Sequence, residues 1–311
     1  MSKKTIALTW WWSWWHIFPL VAFYNYFKED WDYNFIWVWE EWWLEEEIAY
    51  KNKIEFKAIA AGKLRRYFDI RNLFEPLKNI TGIFEAIFYI LKYKIDIVFS
   101  KWGYVSIPLC IGARILWKKV YIHESDVKTW LSNKIVSRFA TKVFYTFPNE
   151  KVDWVKHIVV WQILNPELLE YIEDNKIIEN ERLTIMVIAW SQWSKIIFEA
   201  LLKSLPDLQE VDFHIILWEK NMNFREDFKK FPNTLVHDFV TQKRLWKILK
   251  NIDIAITRWS ATSLWELNTF WVHSIIIPIT NAWDHQEQNA MYFKKEFWSD
   301  ILNENNFLSQ E

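Results

Sequence analysis

Apolar and polar positions along this chain follow two rhythms. Short aliphatic runs, such as Thr5-Ile6-Ala7-Leu8-Thr9 and Ile95-Asp96-Ile97-Val98-Phe99, have the length of buried strands. Longer stretches between them carry apolar residues at helical spacing. The runs predict strands over 5–9, 34–38, 54–58, 95–99, 120–123 and 142–146, then over 183–188, 213–217, 234–237, 252–257 and 274–279. Helices are predicted over 16–28, 73–94, 104–116, 131–139, 195–205, 242–250, 262–270 and 286–297. Alternation of this kind builds parallel sheets from βαβ units. The pattern restarts at Leu183, after a charged and polar stretch that ends at Arg182. The expected organisation is a domain over 1–165, a linker over 166–182 and a domain over 183–311. Both domains read as doubly wound α/β folds, which bind ligands outside the carboxyl ends of their strands. A cleft between the two is expected to hold the chemistry.

Composition changes this picture at one point. The 311 residues include 24 Trp and only 4 Gly, where about 22 Gly would be ordinary. The surplus Trp falls in loop signatures. Five indoles stand among the six residues Trp10-Trp11-Trp12-Ser13-Trp14-Trp15, directly after the first strand, and Trp190-Ser191-Gln192-Trp193 follows the strand at 183–188. Strand-to-helix turns of this type need positive φ and close approach of a ligand to the backbone, which glycine supplies. The expectation is that a gene reading UGA as Gly has been translated with UGA as Trp. A Trp-rich surface for sugars or membrane interfaces is the competing reading, and it predicts scattered exposed indoles.

Charge and cysteine content bound the rest. A net charge of −1 gives no bulk attraction to nucleic acid. The single Cys110 lies in an apolar helical stretch, excludes an internal disulfide and reads as a small buried hydrophobe. The first residues lead straight into a strand, so no secretory signal is expected. No uncharged apolar run reaches the roughly 18 residues of a membrane span. Asp30-Trp31-Asp32, between a helix and a strand, reads as a turn rather than a metal-diphosphate motif.

Four segments carry candidate chemistry. With glycine restored, residues 10–16 become a Gly-rich loop ending in His16. Its backbone N–H groups and helix N-terminus favour an anion, with an imidazole beside it. Ala189 to Ser194 forms a second loop of the same type. The third segment, Thr257 to Leu267, is a strand end, a small-residue turn and a helix carrying Glu266 near its start. The fourth, Asn281 to Ala290, is a polar loop that opens a helix.

In this order the four segments resemble the MurG family, and the resemblance covers essentially the whole chain. It extends to Gly62–Phe68, Phe99–Ser106 and Ile122–Asp126. It implies two Rossmann-like domains facing across a cleft, the GT-B glycosyltransferase architecture, and no cofactor or metal. It implies inverting transfer of N-acetylglucosamine from UDP-GlcNAc to lipid I, giving lipid II. His16 is similar to the family's candidate general base, whose ordinary pKa near 6.5 suits that role. Ser13, Trp14 and Trp15 match the loop near the donor sugar and acceptor diphosphate, and Asp126 matches a family Asn that contacts the sugar. Ser191, with Gln192, matches the loop that meets the UDP phosphates. Val240 matches a residue beside the uracil. Ala261, Thr262, Ser263, Leu264, Trp265 and Glu266 match the segment that holds the nucleoside, with Glu266 on the ribose. Gln286 matches a Gln near the donor sugar, and Tyr104, His123 and Glu124 fall on the acceptor side.

Two departures stand out. The family's Gly-Asn-Pro-Val-Arg junction reads Trp161-Gln162-Ile163-Leu164-Asn165 here, so Asn165 replaces a cation that approaches the diphosphate. Asp126 adds a negative charge near an anionic ligand. Members of the family also run some tens of residues beyond the position of Glu311, so the C-terminal domain is expected to be truncated.

Lipid I implies a bilayer. Leu73, Leu77, Ile80 and Ile83 at helical spacing, with Lys63, Arg65, Arg66, Arg71 and Lys78 nearby, read as an interfacial face. Peripheral attachment at the cytoplasmic face of the membrane is expected. Another UDP-sugar enzyme of this fold, an epimerase or transferase, and an inactive UDP-GlcNAc-binding homologue are the alternatives.

Overall fold

The computed structural model describes residues 3–10, 14–40, 46, 49–50, 52–63, 74–101, 103–148, 156–173, 181–189, 194–238, 240–258, 261–278 and 285–303, with backbone alone at 14–18, 219 and 285–286. The chain forms two compact units, Met1–Pro166 and Glu167–Glu311.

In the first unit, β1 (Lys4–Trp10), β2 (Tyr33–Trp39), β3 (Glu55–Ala58), β4 (Ile95–Lys101), β5 (Lys119–Glu124), β6 (Lys142–Tyr145) and β7 (His157–Val159) form one sheet in the order β3-β2-β1-β4-β5-β6-β7. All its pairings are parallel, and Ala7 pairs with Ile36 on one side and Val98 on the other. Strands covered on both faces are apolar throughout. Ala7, Leu8, Val98, Val120, Ile122 and Val143 are accordingly fully buried. Trp10 stacks on Trp39 with ring centroids 4.1 Å apart and meets Trp37 edge-on at 4.9 Å.

The helices of this unit are α1 (Trp14–Phe27), α2 (Glu75–Lys92), α3 (Ser106–Ile115) and α4 (Leu131–Ser137). α2 lies so close to the segment that follows β3 that a Cβ on Gly82 would sit 1.9 Å from the Ala60 carbonyl oxygen. That contact fixes the roll of α2. Gly82, Ala86 and Ile90 face inward, while Phe74, Leu77, Ile80, Phe84, Phe88 and Leu91 are each at least half exposed.

α5 (Pro166–Glu173), in the stretch expected to be a linker, opens on the last residue of the first unit and continues as the start of the second. Pro166 suits a first helical position. Leu168 is fully buried, Tyr171 packs near Trp246 and Phe270, and Glu167 pairs with Lys243 at 3.0 Å. Charge on one face made the segment read as solvated, while a few apolar residues on the other dock it. Next come β8 (Thr184–Ile188), α6 (Lys195–Ser204), β9 (Asp212–Ile216), α7 (Arg225–Phe228), β10 (Thr234–His237), α8 (Gln242–Leu249), β11 (Ile254–Thr257), α9 (Ala261–Thr269), β12 (His273–Ile276), α10 (His285–Phe297) and β13 (Asp300–Ile301). The sheet order is β10-β9-β8-β11-β12-β13, again parallel. β7, β13 and α7, of two to four residues, are too short to carry a readable period, and sequence reading missed them.

The strand order reverses between β1 and β4 in one sheet and between β8 and β11 in the other. A crevice opens where neighbouring connections leave in opposite directions. β1 and β8, the strands that precede the expected Gly-type loops, border these switch points, as do β4 and β11. Among the described residues, no helix is long and apolar enough to cross a membrane.

Candidate active site

The carboxyl ends of β4, β5 and β6 carry a buried polar cluster in the first unit. Lys101, the last residue of β4, is wholly buried and donates to Gln162 Oε1 at 3.4 Å. His123 on β5 is equally buried. Its Nε2 lies 3.2 Å from the Trp161 carbonyl and 3.2 Å from the Thr146 hydroxyl. A carbonyl only accepts, so Nε2 carries the proton and Nδ1 is left as a lone-pair acceptor. Nδ1 has no partner among the described residues, nor do the buried hydroxyls of Thr9 and Ser125. Burial, with Lys101 nearby, holds His123 down at about 3.

Glu124 is clamped by three donors. The backbone N–H groups of Asp126 and Trp130 reach its two oxygens at 3.2 and 3.0 Å, and Asn133 Nδ2 donates at 2.9 Å. Burial and the neighbouring Asp126 nevertheless push its carboxyl up to about 8. The Trp130 indole N–H donates to Asp126 Oδ2. Tyr104, half-buried before α3, donates its hydroxyl to Glu40 Oε2 at 2.7 Å. Tyr104, His123, Glu124 and Asp126, assigned from sequence, are thus joined to neighbours that sequence reading missed: Glu40, Lys101, Asn133, Thr146 and Gln162. Lys101 had a signal, a single lysine closing an aliphatic strand. Gln162 and Thr146 had none, because only the sheet brings them beside His123.

The second unit presents the β11–α9 turn. Ala261 to Glu266 are all buried in the first turns of α9. Glu266 accepts from Gln242 Nε2 at 2.6 Å, across from the start of α8. Burial raises its carboxyl to about 7, and the Gln242 bond opposes that rise. Thr241 caps α8 by accepting the Arg244 N–H, and Val240 beside it is buried. Gln242 is the missed partner here. Asn165 is half-buried just before α5.

Other assigned residues are placed less fully. α1 begins at Trp14, two residues earlier than expected, which puts Trp14, Trp15 and His16 in its first turn. Their side chains lie outside the described residues, as do Ser13, Ser191, Gln192, Leu73 and the Gln286 side chain. Ile83 is corrected. It is half-buried, and Phe84 takes the exposed position. Asp30 and Asp32 form a turn in which the Asp32 N–H donates to Asp30 Oδ1 at 2.9 Å. Cys110 is buried, which pushes its thiol up to about 12.

Known proteins resemble this chain over nearly its whole length. The glycosyltransferase family 28 N-terminal domain matches residues 15–145, and the glycosyltransferase family 28 C-terminal domain matches residues 184–311. The UDP-N-acetylglucosamine--N-acetylmuramyl-(pentapeptide) pyrophosphoryl-undecaprenol N-acetylglucosamine transferase of Clostridium kluyveri is 33% identical over 310 residues, covering 97% of this chain and 87% of its own. Among solved structures, Acinetobacter baumannii MurG superposes with a TM-score of 0.76 at 22% identity, over 97% of this chain and 86% of that one. A UDP-GlcNAc 2-epimerase from Neisseria meningitidis, bound to UDP-GlcNAc, reaches 0.66 at 12% identity, over 98% and 89%. At these identities the two structures speak for the fold alone.

Proposed function

The chain belongs to the MurG family of N-acetylglucosamine transferases, within glycosyltransferase family 28, and from that premise we propose that it transfers N-acetylglucosamine from UDP-GlcNAc to lipid I with inversion at the anomeric carbon. The observation that supports this reading is that β1, β8 and β11, the strands that lead into three of the family segments, border the two topological switch points, one in each sheet.

In this reading the nucleoside lies on α9, where the Glu266 carboxylate accepts both ribose hydroxyls and Gln242 fixes its rotamer. Val240 lies beside the uracil. The Ser191–Gln192 loop receives the diphosphate, and the N-terminus of α6 stabilises charge on the departing UDP. Gln286, Asn165 and the Ser13–Trp15 loop surround the donor sugar. His16 takes the proton of the acceptor hydroxyl as that oxygen attacks C1. Asp126 meets the donor sugar, and Tyr104, His123 and Glu124 meet the acceptor. No step calls for a metal.

The acceptor is lipid-linked, and α2 supports attachment to the cytoplasmic face of the membrane. Phe74, Leu77, Ile80, Phe84, Phe88 and Leu91 line one side of it, 50–69% exposed. Lys78 and Lys92 sit on the same helix. An apolar stripe with basic residues is the chemistry of interfacial binding to anionic lipid.

The same proposal includes glycine at many of the Trp positions. Among the described residues, six non-glycine residues have positive φ, and four of them are Trp117, Trp161, Trp271 and Trp298, at 57–60°. Trp117 and Trp271 follow α3 and α9 in Schellman geometry. The Trp117 and Lys118 N–H groups donate to the Arg114 and Ala113 carbonyls, and those of Trp271 and Val272 to Asn268 and Leu267. That position is commonly glycine. Trp117, Trp271 and Trp298 are 83–85% exposed, so their rings add nothing to a core that would offset the strain.

The test is UDP release from UDP-GlcNAc, with and without a lipid I analogue, by the chain as written and by a form with glycine at the loop and helix-end Trp positions. Acceptor-dependent release by the glycine form alone supports both parts. Release without acceptor points to an epimerase or hydrolase. A folded glycine form that binds UDP-GlcNAc and releases nothing overturns the activity.

A further inference from the structure

The amino ends of β1, β2 and β3 surround a concavity of about 460 Å³ in the first unit. β1 runs over seven residues, so the hollow lies about 20 Å from the carboxyl ends of the strands, where the transferase site is read. Three lysines line it: Lys3 before β1, Lys28 after α1 and Lys53 before β3. Among the described residues, Glu55 is the one carboxylate in the lining, and Lys57 engages it at 3.1 Å. Asp96, on the neighbouring β4, is engaged by Lys118 at 3.4 Å and by the Thr5 N–H at 3.1 Å. No carboxylate of the described residues pairs with Lys3, Lys28 or Lys53. The hollow therefore keeps a net positive lining in a chain whose total charge is −1.

Its walls are aromatic and held in place. Tyr24 meets Phe35 edge-on at 5.3 Å and donates its hydroxyl to the Asn52 carbonyl at 3.2 Å. Tyr33 meets Phe27 edge-on at 5.7 Å, and Tyr93, just after α2, adds a third phenol ring to the lining. Lys53 carries a second signal. Its φ of 56° lies in the left-handed region, which costs any residue with a Cβ. The Lys53 N–H donates to the Tyr50 carbonyl at 3.0 Å and the Ile54 N–H to the Ala49 carbonyl at 2.9 Å, a geometry in which glycine is common. Of the six non-glycine residues with positive φ among those described, four are Trp, which the glycine reading covers. The other two are Lys53, in this lining, and Lys94, next to Tyr93. Backbone strain of this kind concentrates where a side chain has work to do.

We propose that this hollow binds a small phosphorylated compound, with its phosphate among the ammonium groups of Lys3, Lys28 and Lys53 and its organic part against the rings of Tyr24, Tyr33 and Tyr93. Lysine meets phosphate as a point charge, and an unbalanced positive concavity gathers anions from solution. The volume lies within the usual range of small-molecule sites, about 300–1,000 Å³. A soluble sugar phosphate and the phosphate of a lipid headgroup present the same group to these lysines. The site does not depend on the transferase reading.

The experiment is isothermal titration of the full chain with glucose 6-phosphate, beside glucose, with excess UDP-GlcNAc present to keep the donor site out of the measurement. Sedimentation with phosphatidic acid vesicles, beside phosphatidylcholine vesicles, tests the lipid source. Lys28→Ala combined with Lys53→Gly is expected to weaken phosphate binding at least about tenfold, the scale of bonds to a charged group. Lys53→Gly alone is expected to weaken binding while raising the melting temperature, because glycine relieves the left-handed backbone. Lys94→Ala, outside the lining, is expected to change binding by less than about twofold. Glucose is expected not to bind. Loss of glucose 6-phosphate binding in the combined variant supports a soluble ligand. Loss confined to phosphatidic acid vesicles supports the site with a lipid phosphate as its occupant. Equal weakening by Lys94→Ala means diffuse attraction to surface charge and overturns the proposal. So does binding that survives the combined variant, or a folded chain that binds neither probe.

Discussion

The Gln242 amide donates a 2.6 Å hydrogen bond to Glu266 Oε1, joining the first residue of α8 to the middle of α9. A buried carboxylate with one oxygen held this way has a fixed rotamer. Replacing Glu266 by Ala is expected to raise KM for UDP-GlcNAc by about 10- to 100-fold, the usual scale for a hydrogen bond to a charged group. Gln242→Ala, which loosens the carboxylate without removing it, is expected to raise KM by less. Steady-state kinetics across a UDP-GlcNAc series separate the two. Equal KM values for the parent and Glu266→Ala would remove Glu266 from the donor site.

The same carboxyl sets a pH dependence. Its folded value, about 7, lies above the ordinary 4.5. The native state therefore binds the proton more tightly than the unfolded state. The stabilisation is complete at low pH and is lost as pH rises from about 4.5 through about 7. Glu266→Gln carries no titrating group, so its melting temperature is expected to gain on the parent across that window, by a few degrees at pH 8 relative to pH 5. A constant difference between the two melting curves would contradict the buried, proton-holding Glu266.

Membrane attachment is read on α2. Phe84→Glu together with Phe88→Glu puts two charges into the exposed stripe without touching Gly82, Ala86 or Ile90, which are buried. Burying one such ring is worth about 1.5–3 kcal/mol. Partition onto anionic vesicles, measured by sedimentation, is expected to fall at least about tenfold, while UDP-GlcNAc binding stays at the parent level. Vesicle binding that survives the double substitution would move the attachment site elsewhere.

Glycine at the helix ends is tested by stability. Trp117→Gly and Trp271→Gly relieve left-handed backbone at exposed sites, and each is expected to stabilise the fold by about 0.5–1 kcal/mol in urea unfolding. Trp246→Gly is the opposing control. That residue is 2% exposed inside α8, with its ring 6.3 Å from Tyr171. Its loss is expected to cost about 3–5 kcal/mol. Destabilisation by both helix-end substitutions would favour tryptophan as the working residue there.

Legibility tracked the range of the interaction that fixes each feature. The strands read from sequence match the observed ones to within a few residues, because burial on both faces forces continuous apolar runs at 4–10, 95–101 and 184–188. The start of α9 was legible to within one residue, because the change from an apolar run to helical spacing after β11 is local. The roll of α2 was not. Leu77 and Ile80 are exposed as expected, but Ile83 is not, since contact between Gly82 and the Ala60 carbonyl decides which side faces inward. α5 was hidden by its charges.

The sequence by itself determined two parallel α/β sheets and the family to which they belong, because hydrophobic period and turn composition are local properties. Tertiary structure alone decided which residues share a site. Lys101, His123, Thr146 and Gln162 are separated by up to 61 residues yet bonded in one buried cluster, and Gln242 meets Glu266 across 24. No local pattern records such meetings, since they follow from strand order and register, and those are settled only when the whole sheet assembles.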